Sequence, residues 1–394
     1  MATGLSDTPQ TKTGSDSLVE LCRYFLRLGA FGFGGPIALV GYMQRDLVER
    51  RGWFSEEEFR EGLALSQLAP GPLAAQLAIY LGWVKGRVLG ATLVGLTFIL
   101  PSFLMVLLLS WFYLRFGGLS WMQGAFYGIG ASVIAIIARS AVKLVRMTLA
   151  RDRLLWILFA VSAFVTAWTE SEIIWVFILS GFVSLFIKAP PRIRRSPLSA
   201  AFSLPLWLLT GLNGASEPHT LWTIGLYFAK AGAFVFGSGL AIVPFLYGGV
   251  VDDFHWLNDR QFLDAVAVAM ITPGPVVITV AFIGYLVAGP LGAVVAAIGV
   301  FLPCYLFVVI PAPYFRLIAK NLQVKAFVDG VTAAATGAIA GAAFVLGRRA
   351  IIDLPTALLA VATFVLLSKV RKVPEPLVIL GAGFIGFFIE RYSR

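Results

Sequence analysis

A Pro-Gly-Pro cluster sits in the middle of an apolar run at Leu68-Ala69-Pro70-Gly71-Pro72-Leu73. No helix continues through it, because the prolines remove backbone donors and clash with the preceding turn. The cluster recurs. Adding 203 to each number lands on Thr272-Pro273-Gly274-Pro275, and the same offset carries Phe25 onto Phe228, Gly29 onto Gly232, Phe33 onto Phe236, Gly34 onto Gly237, Trp53 onto Trp256 and Phe59 onto Phe262. Beyond the break the offset becomes 202, which carries Gly82 onto Gly284, Gly90 onto Gly292 and Pro101 onto Pro303. A register held over this length marks an internal duplication with one residue deleted after the break. The chain is expected to be two copies of one unit.

Composition sets the solvent of that unit. With 59% hydrophobic and 13% charged residues and a mean hydropathy of +0.86, the chain is too apolar for a water-soluble domain and suits an all-α polytopic membrane protein. Apolar runs near 21–44, 62–84, 88–114, 121–145, 154–168 and 172–187 form the first copy. Runs near 221–247, 261–287, 290–315, 323–347, 351–368 and 376–390 form the second, and an extra short run at 198–212 precedes it. The expected architecture is therefore about 12–13 membrane segments in two helical repeats, each with a Pro-Gly-Pro-broken helix. Residues 1–17 read as a disordered polar tail without the order of a signal peptide, 18–188 as the first repeat, 189–219 as a linker carrying the extra segment, and 220–394 as the second repeat. Ser55 followed by Glu58 has the spacing of a capping box, predicting a surface helix ahead of the first break.

Several functions drop out. Two cysteines, Cys22 and Cys304, and two histidines, His219 and His255, are too few and too scattered for a disulfide framework or a metal site. The net charge of +10 is carried by short loops flanking apolar runs, where it directs membrane insertion instead of marking a nucleic-acid surface. Gly32-Phe33-Gly34-Gly35 lacks the final glycine of a dinucleotide fingerprint, since Ile37 stands there, and no glycine-rich loop ends in Gly-Lys-Ser or Gly-Lys-Thr. No cofactor, no ATP site and no enzyme chemistry are expected.

Orientation comes from arginine and lysine. In the first copy Lys143, Arg146, Arg151 and Arg153 follow the fourth segment and Lys188, Arg192, Arg194 and Arg195 the sixth; in the second, Arg316, Lys320 and Lys325 follow the third and Lys369, Arg371 and Lys372 the fifth. Placing these loops in the cytoplasm inverts the copies relative to each other and puts the N-terminus inside, with Arg348 and Arg349 counting against it.

At bilayer depth an unpaired backbone group costs several kcal/mol, so broken helices are tolerated only where freed groups meet protein, water or a ligand. Gly71 can cap one half-helix and Pro72 start the next, leaving N–H groups and a positive dipole end for an anion; Pro70 and, in the second copy, Pro273, Gly274 and Pro275 belong to the same device. Gln76 and its repeat partner Thr279 add a hydrogen-bonding side chain beside each break. The plainer reading is a packed proline kink. Arg27 and Lys230 are repeat partners inside apolar runs, where charge is expensive; the alternative is snorkelling to the interface. The glycines that follow, Gly34 and Gly35 in one copy and Gly237 and Gly239 in the other, allow close approach of a backbone or an anion. Glu61 and Asp264, also partners, are candidates for proton coupling or for pairing with Arg27 or Lys230, Glu61 being equally readable as a solvated residue among acidic neighbours. Arg139 and Asp329 lie within fourth segments without charged repeat partners, and Trp53 and Trp256 read as interface anchors.

Gly32-Phe33-Gly34-Gly35-Pro36, the Trp53 loop, Ala69-Pro70-Gly71-Pro72 through Gln76, and their echoes at Phe236-Gly237-Ser238-Gly239 and Thr272-Pro273-Gly274-Pro275 resemble the chromate ion transporter family in its long, two-domain form. The resemblance covers nearly the whole chain after the tail. It implies halves inserted in opposite orientations and export of chromate from the bacterial cytoplasm across the inner membrane, with chromate resistance and with sulfate as a related tetrahedral dianion. Ser238 and Gly239 stand where the first copy has Gly35 and Pro36, so the second motif is looser. The expected partners are chromate or sulfate and the lipid bilayer, a homodimer being one arrangement open to such a chain. Duplication without an ATP site points to a secondary carrier working by alternating access; an anion channel with the same electrostatics is the rival.

Overall fold

The computed structural model describes residues 18–33, 35–116, 120–149, 152–169, 173–190, 220–234, 242–315, 321–351, 353–370 and 375–393. The expected tail at 1–17, the extra segment at 198–212, and Gly34, Gly237, Ser238 and Gly239 lie outside the described residues. Among the described residues every element is helical. The first copy contains α1 (Leu18–Phe31), α2 (Gly35–Met43, continuing as a π-helical turn over Gln44–Arg50), α3 (Glu56–Leu68), α4 (Leu73–Phe116), α5 (Ser120–Thr148), α6 (Arg153–Thr169) and α7 (Ile174–Lys188). The second contains α8 (Thr220–Phe234), α9 (Ile242–Tyr247, continuing as a π-helical turn over Gly248–Asp253), α10 (Asp259–Ile271), α11 (Thr279–Val309), α12 (Leu322–Ala350), α13 (Leu354–Lys369) and α14 (Glu375–Ser393).

The capping box forms as expected. The Ser55 hydroxyl accepts the Glu58 N–H at 3.1 Å while the Glu58 carboxylate accepts the Ser55 N–H at 2.8 Å. Asn258 and Gln261 make the same exchange at 2.9 and 3.1 Å at the start of α10. These caps start α3 and α10, which themselves run into the breaks.

The first break is not a kink within a single crossing helix. A Cβ on Gly62 would lie 2.3 Å from the Tyr80 ring and 3.0 Å from Leu77, so α3 and the first arm of α4 (73–85) lie side by side and antiparallel. The Pro-Gly-Pro cluster is thus the tip of a helical hairpin. The chain reverses again at Gly86 (φ −144°, ψ 21°) and Arg87 (φ 52°, ψ −140°). There a Cβ on Gly82 would meet the Gly90 carbonyl oxygen at 2.5 Å. In the second copy Ala288 (φ −140°, ψ 27°) and Gly289 (φ 64°, ψ −157°) make the same turn, and Gly284 packs on Gly292. The run at 62–84 is therefore a helical hairpin, α10 likewise contacts α11 in the second copy, and the run at 21–44 divides into α1 and α2 at Gly32–Gly35. Among the described residues four helical stretches are long and apolar enough to cross a membrane, within 73–116, 124–143, 276–314 and 322–348, joined by four shorter apolar helices at 153–169, 175–188, 354–369 and 375–389.

The copies are inverted. The repeat partners α5 and α12 pack antiparallel, Ile134 lying beside Gly347 while Ala141 and Ala340 share one groove. The second arms of α4 and α11 also meet, Thr92 and Tyr305 sharing a hydrogen bond of 2.8 Å between their hydroxyls. Around this centre α1 packs along the second arm of α4, with Phe25 edge-on to Phe98 at 5.9 Å, and α8 repeats the arrangement on α11. Peripheral helices are fastened by ion pairs: Lys188 to Asp152 at 2.5 Å and Arg139 to Glu375 at 3.4 Å.

Candidate functional site

Both hairpin tips are buried, and each takes a backbone conformation that favours glycine, Gly71 at φ 139° and Gly274 at φ 92°. In the first tip the Gln76 side-chain amide donates to the Pro70 carbonyl at 2.6 Å, holding the freed oxygen. The other half of that amide, Oε1, is buried with no hydrogen-bond partner. Helix geometry also leaves the N–H groups of Leu73, Ala74 and Ala75 without intrahelical acceptors. In the second tip the Gly274 N–H donates to the Gly32 carbonyl at 3.1 Å, and the Thr279 hydroxyl turns back onto Val276 at 2.7 Å. Gln76 and Thr279 are therefore not equivalent: one braces the tip and keeps an open acceptor, the other is absorbed by its own helix.

Each tip seats against the opposite copy. A Cβ on Gly274 would fall 2.0 Å from the Ser102 hydroxyl and 3.4 Å from the Gly29 carbonyl oxygen. Ser102 donates to that same Gly29 oxygen at 3.3 Å. A Cβ on Gly71 would fall 3.1 Å from the Cys304 sulfur, whose thiol lies 3.6 Å from the Gly232 carbonyl. Ser102 and Cys304 are themselves partners at the offset of 202, as Gly29 and Gly232 are at 203. The molecule thus has two sockets of one design, each built from the end of a first helix and a small polar side chain, and each filled by the other copy's tip.

Arg27 precedes Gly29 by two residues and Lys230 precedes Gly232 by two. The cations therefore stand on the socket helices, Arg27 with the second tip's socket and Lys230 with the first's. Arg27 is exposed and Lys230 half-buried, and neither forms a salt bridge among the described residues. Gly35, at φ 74°, opens α2 with nothing near its missing side chain.

The two carboxylates are engaged by tyrosines instead of by Arg27 or Lys230. Half-buried Glu61 accepts the Tyr80 hydroxyl at 3.3 Å across its own hairpin. Asp264, only 3% exposed, accepts the Tyr113 hydroxyl at 2.7 Å from α4 of the other copy. The offset of 202 carries Tyr80 onto Phe282 and Tyr113 onto Phe315, so the two bonds are not images of each other, and only the second ties the copies together. Tyr113 gives no signal in the sequence because its repeat position is aromatic in both copies; Ser102 and Cys304 were legible in principle, by following the offset past the break. Removing the Tyr113 hydroxyl (Tyr113→Phe) is expected to cost about 1–3 kcal/mol of stability. A double-mutant cycle with Asp264→Asn, read by thermal unfolding, should give a coupling above about 0.5 kcal/mol; strict additivity would mean that the bond contributes nothing.

Among the described residues no cluster of three or more His, Cys, Asp or Glu side chains is placed to hold a metal. Arg139 is paired with Glu375, and Asp329 is half-buried in α12, away from both tips in the chain. What the tips themselves offer is backbone donors and an orphan acceptor, inside a bundle of apolar helices; the two cations stand on the socket helices, Arg27 exposed and Lys230 half-buried.

The family described as Chromate transporter matches residues 19–185 and again residues 222–387, the same two copies at the same offsets. The chain belongs to the chromate transporter family. It is 61% identical over 371 residues to a chromate transport protein of Cupriavidus metallidurans, spanning 94% of this chain and 92% of that one. It is 58% identical to a probable chromate transport protein of Synechococcus elongatus (94% and 95%) and 31% identical to a chromate transport protein of Pseudomonas aeruginosa (95% and 92%). No solved structure matches. The family and the apolar helices together make this a multi-pass membrane protein of a transporter family, in which the inverted hairpins are the feature around which a transport site can be built.

Proposed function

We propose that the chain is a secondary carrier that exports chromate across the bacterial inner membrane, with its N-terminus in the cytoplasm, and so confers chromate resistance. The observation that carries this reading is the pair of buried Pro-Gly-Pro tips, one from each inverted copy, each seated on the helix that bears the other copy's cation. A half-helix N-terminus suits an anion. The repeats 18–188 and 220–394 would rock about the two sockets, exposing the centre to one side and then the other. Arg27 and Lys230 would neutralise the dianion, Gln76 would offer it the Oε1 acceptor when it carries a proton, and the glycines at 34, 35, 237 and 239 would let it come close. Pro70, Gly71, Pro72, Pro273, Gly274 and Pro275 hold the two tips, and Thr279 shapes the second. Glu61 and Asp264 are the groups available for coupling to protons.

Direction has a physical basis. A dianion leaving a negative-inside cell is driven outward by about 2.3 kcal/mol per charge per 100 mV; uptake of sulfate by the same route would need compensating cations. Proteoliposomes containing the purified chain, loaded with labelled chromate at set pH and voltage with sulfate as competitor, test the reading. Saturable, counter-ion-dependent flux with chromate preferred supports it. Unsaturable flux proportional to voltage would make the protein an anion channel, and preference for sulfate would reassign the substrate.

A further inference from the structure

We propose that the groove between α5, α6 and α12 is a binding site for an anionic phospholipid, an acyl chain lying along its floor and the headgroup phosphate meeting Arg146. The groove has a volume of about 610 Å³ and lies apart from both tips. Its floor is opened by small residues, among them Ala141 and Ala340, and its walls are aromatic: Trp156 and Phe159, edge-on at 5.6 Å, on one side and Phe344 on the other. Trp156 and Phe344 are 44% and 66% exposed, so the groove opens at the flank of the bundle and not into the transport centre.

Two properties choose the occupant. The lining is carbon almost throughout, so water inside it would find too few polar partners to be held, whereas an acyl chain fills such a slot in a bilayer without loss. Yet one end carries a cation: Arg146 is exposed, lines the groove and forms no salt bridge among the described residues. It stands where α5 ends and α6 begins, and the exposed cations Lys143 and Arg153 flank it there. A guanidinium pairs with a phosphate through two parallel hydrogen bonds. The flanking positive charge favours a headgroup of net negative charge over a zwitterionic one. Trp156 at the same end marks the level of the membrane interface, where a headgroup would sit. Neither a free phosphate, which gains nothing from the apolar floor, nor a neutral lipid, which gains nothing from Arg146, uses both parts.

The test uses the full chain purified in detergent, with lipid binding followed by native mass spectrometry and by thermal unfolding. Phosphatidylglycerol should bind about fivefold more tightly than phosphatidylcholine of the same acyl chains. Arg146→Ala should weaken both lipids and reduce that preference, Arg146→Lys should keep most of it, and Ala340→Trp, which fills the floor, should weaken both lipids. Should Arg146→Ala fail to fold, the lysine and tryptophan variants carry the test. Equal binding of the two lipids to the unmodified chain, or affinity and preference both undiminished in Arg146→Ala, would overturn the proposal. So would stabilisation by inorganic phosphate equal to that by phosphatidylglycerol, which would leave a bare anion site. Dissociation of a dimer by Ala340→Trp with lipid binding unchanged would assign the groove to a second copy instead.

Discussion

Replacing Gly29 or Gly232 by alanine is expected to abolish transport and to lower the stability of the protein, by one methyl group in each case. A Cβ at Gly29 would lie 2.2 Å from the Phe98 carbonyl oxygen, and one at Gly232 would lie 2.1 Å from that of Val300. The obstacle is backbone in both cases, so no side chain can swing away, and α1 must part from α4 or α8 from α11. Membrane helices gain their contact from such close approaches of small residues, and overpacking them costs about 1–3 kcal/mol. The functional loss should exceed the loss of stability, because these helix ends are also the sockets that receive the opposite tips. Gly41→Ala supplies the control: nothing lies within 4 Å of its missing side chain, it is exposed in the middle of a helix, and alanine there should stabilise by up to about 1 kcal/mol. Thermal unfolding of the purified variants and chromate uptake in proteoliposomes measure the two effects. Full flux and unchanged melting in Gly29→Ala would mean that the socket does not have the tight geometry described.

The second large effect is expected from the cations. Arg27→Ala and Lys230→Ala should each reduce chromate flux by about tenfold to a hundredfold, the loss of one charge-assisted contact of about 1.5–3 kcal/mol to a dianion. Their melting temperatures should barely move, since Arg27 is exposed and neither residue forms a salt bridge among the described residues. That split separates a substrate contact from a structural role. The exchanges Arg27→Lys and Lys230→Arg should retain most of the flux, because charge matters more than fork geometry for a tetrahedral anion. Wild-type flux in both alanine variants would place the two heads at the lipid interface, as snorkelling predicts.

The sequence by itself determined the duplication, the membrane as solvent, the first capping box, the position of each break and the inversion of the copies. Each of these is written locally: in a repeating register, in two prolines around a glycine, in a serine three residues before a glutamate, or in which loops hold arginine. Only the tertiary structure decided that the runs containing the breaks turn back on themselves, since the glycines that permit it, Gly62, Gly82 and Gly284, look like any packing glycine until their contacts are known. It alone decided that each tip belongs to the other copy's socket, pairing Gly274 with Ser102 and Gly71 with Cys304. It also decided that Asp264 is held by Tyr113 and not by Arg27 or Lys230. The physical reason is the same in all three cases. An apolar run states that a segment leaves water but not which neighbour replaces the water, and that choice is made by packing, over about 10–20 residues within the hairpins and about 150–230 residues between the two inverted copies.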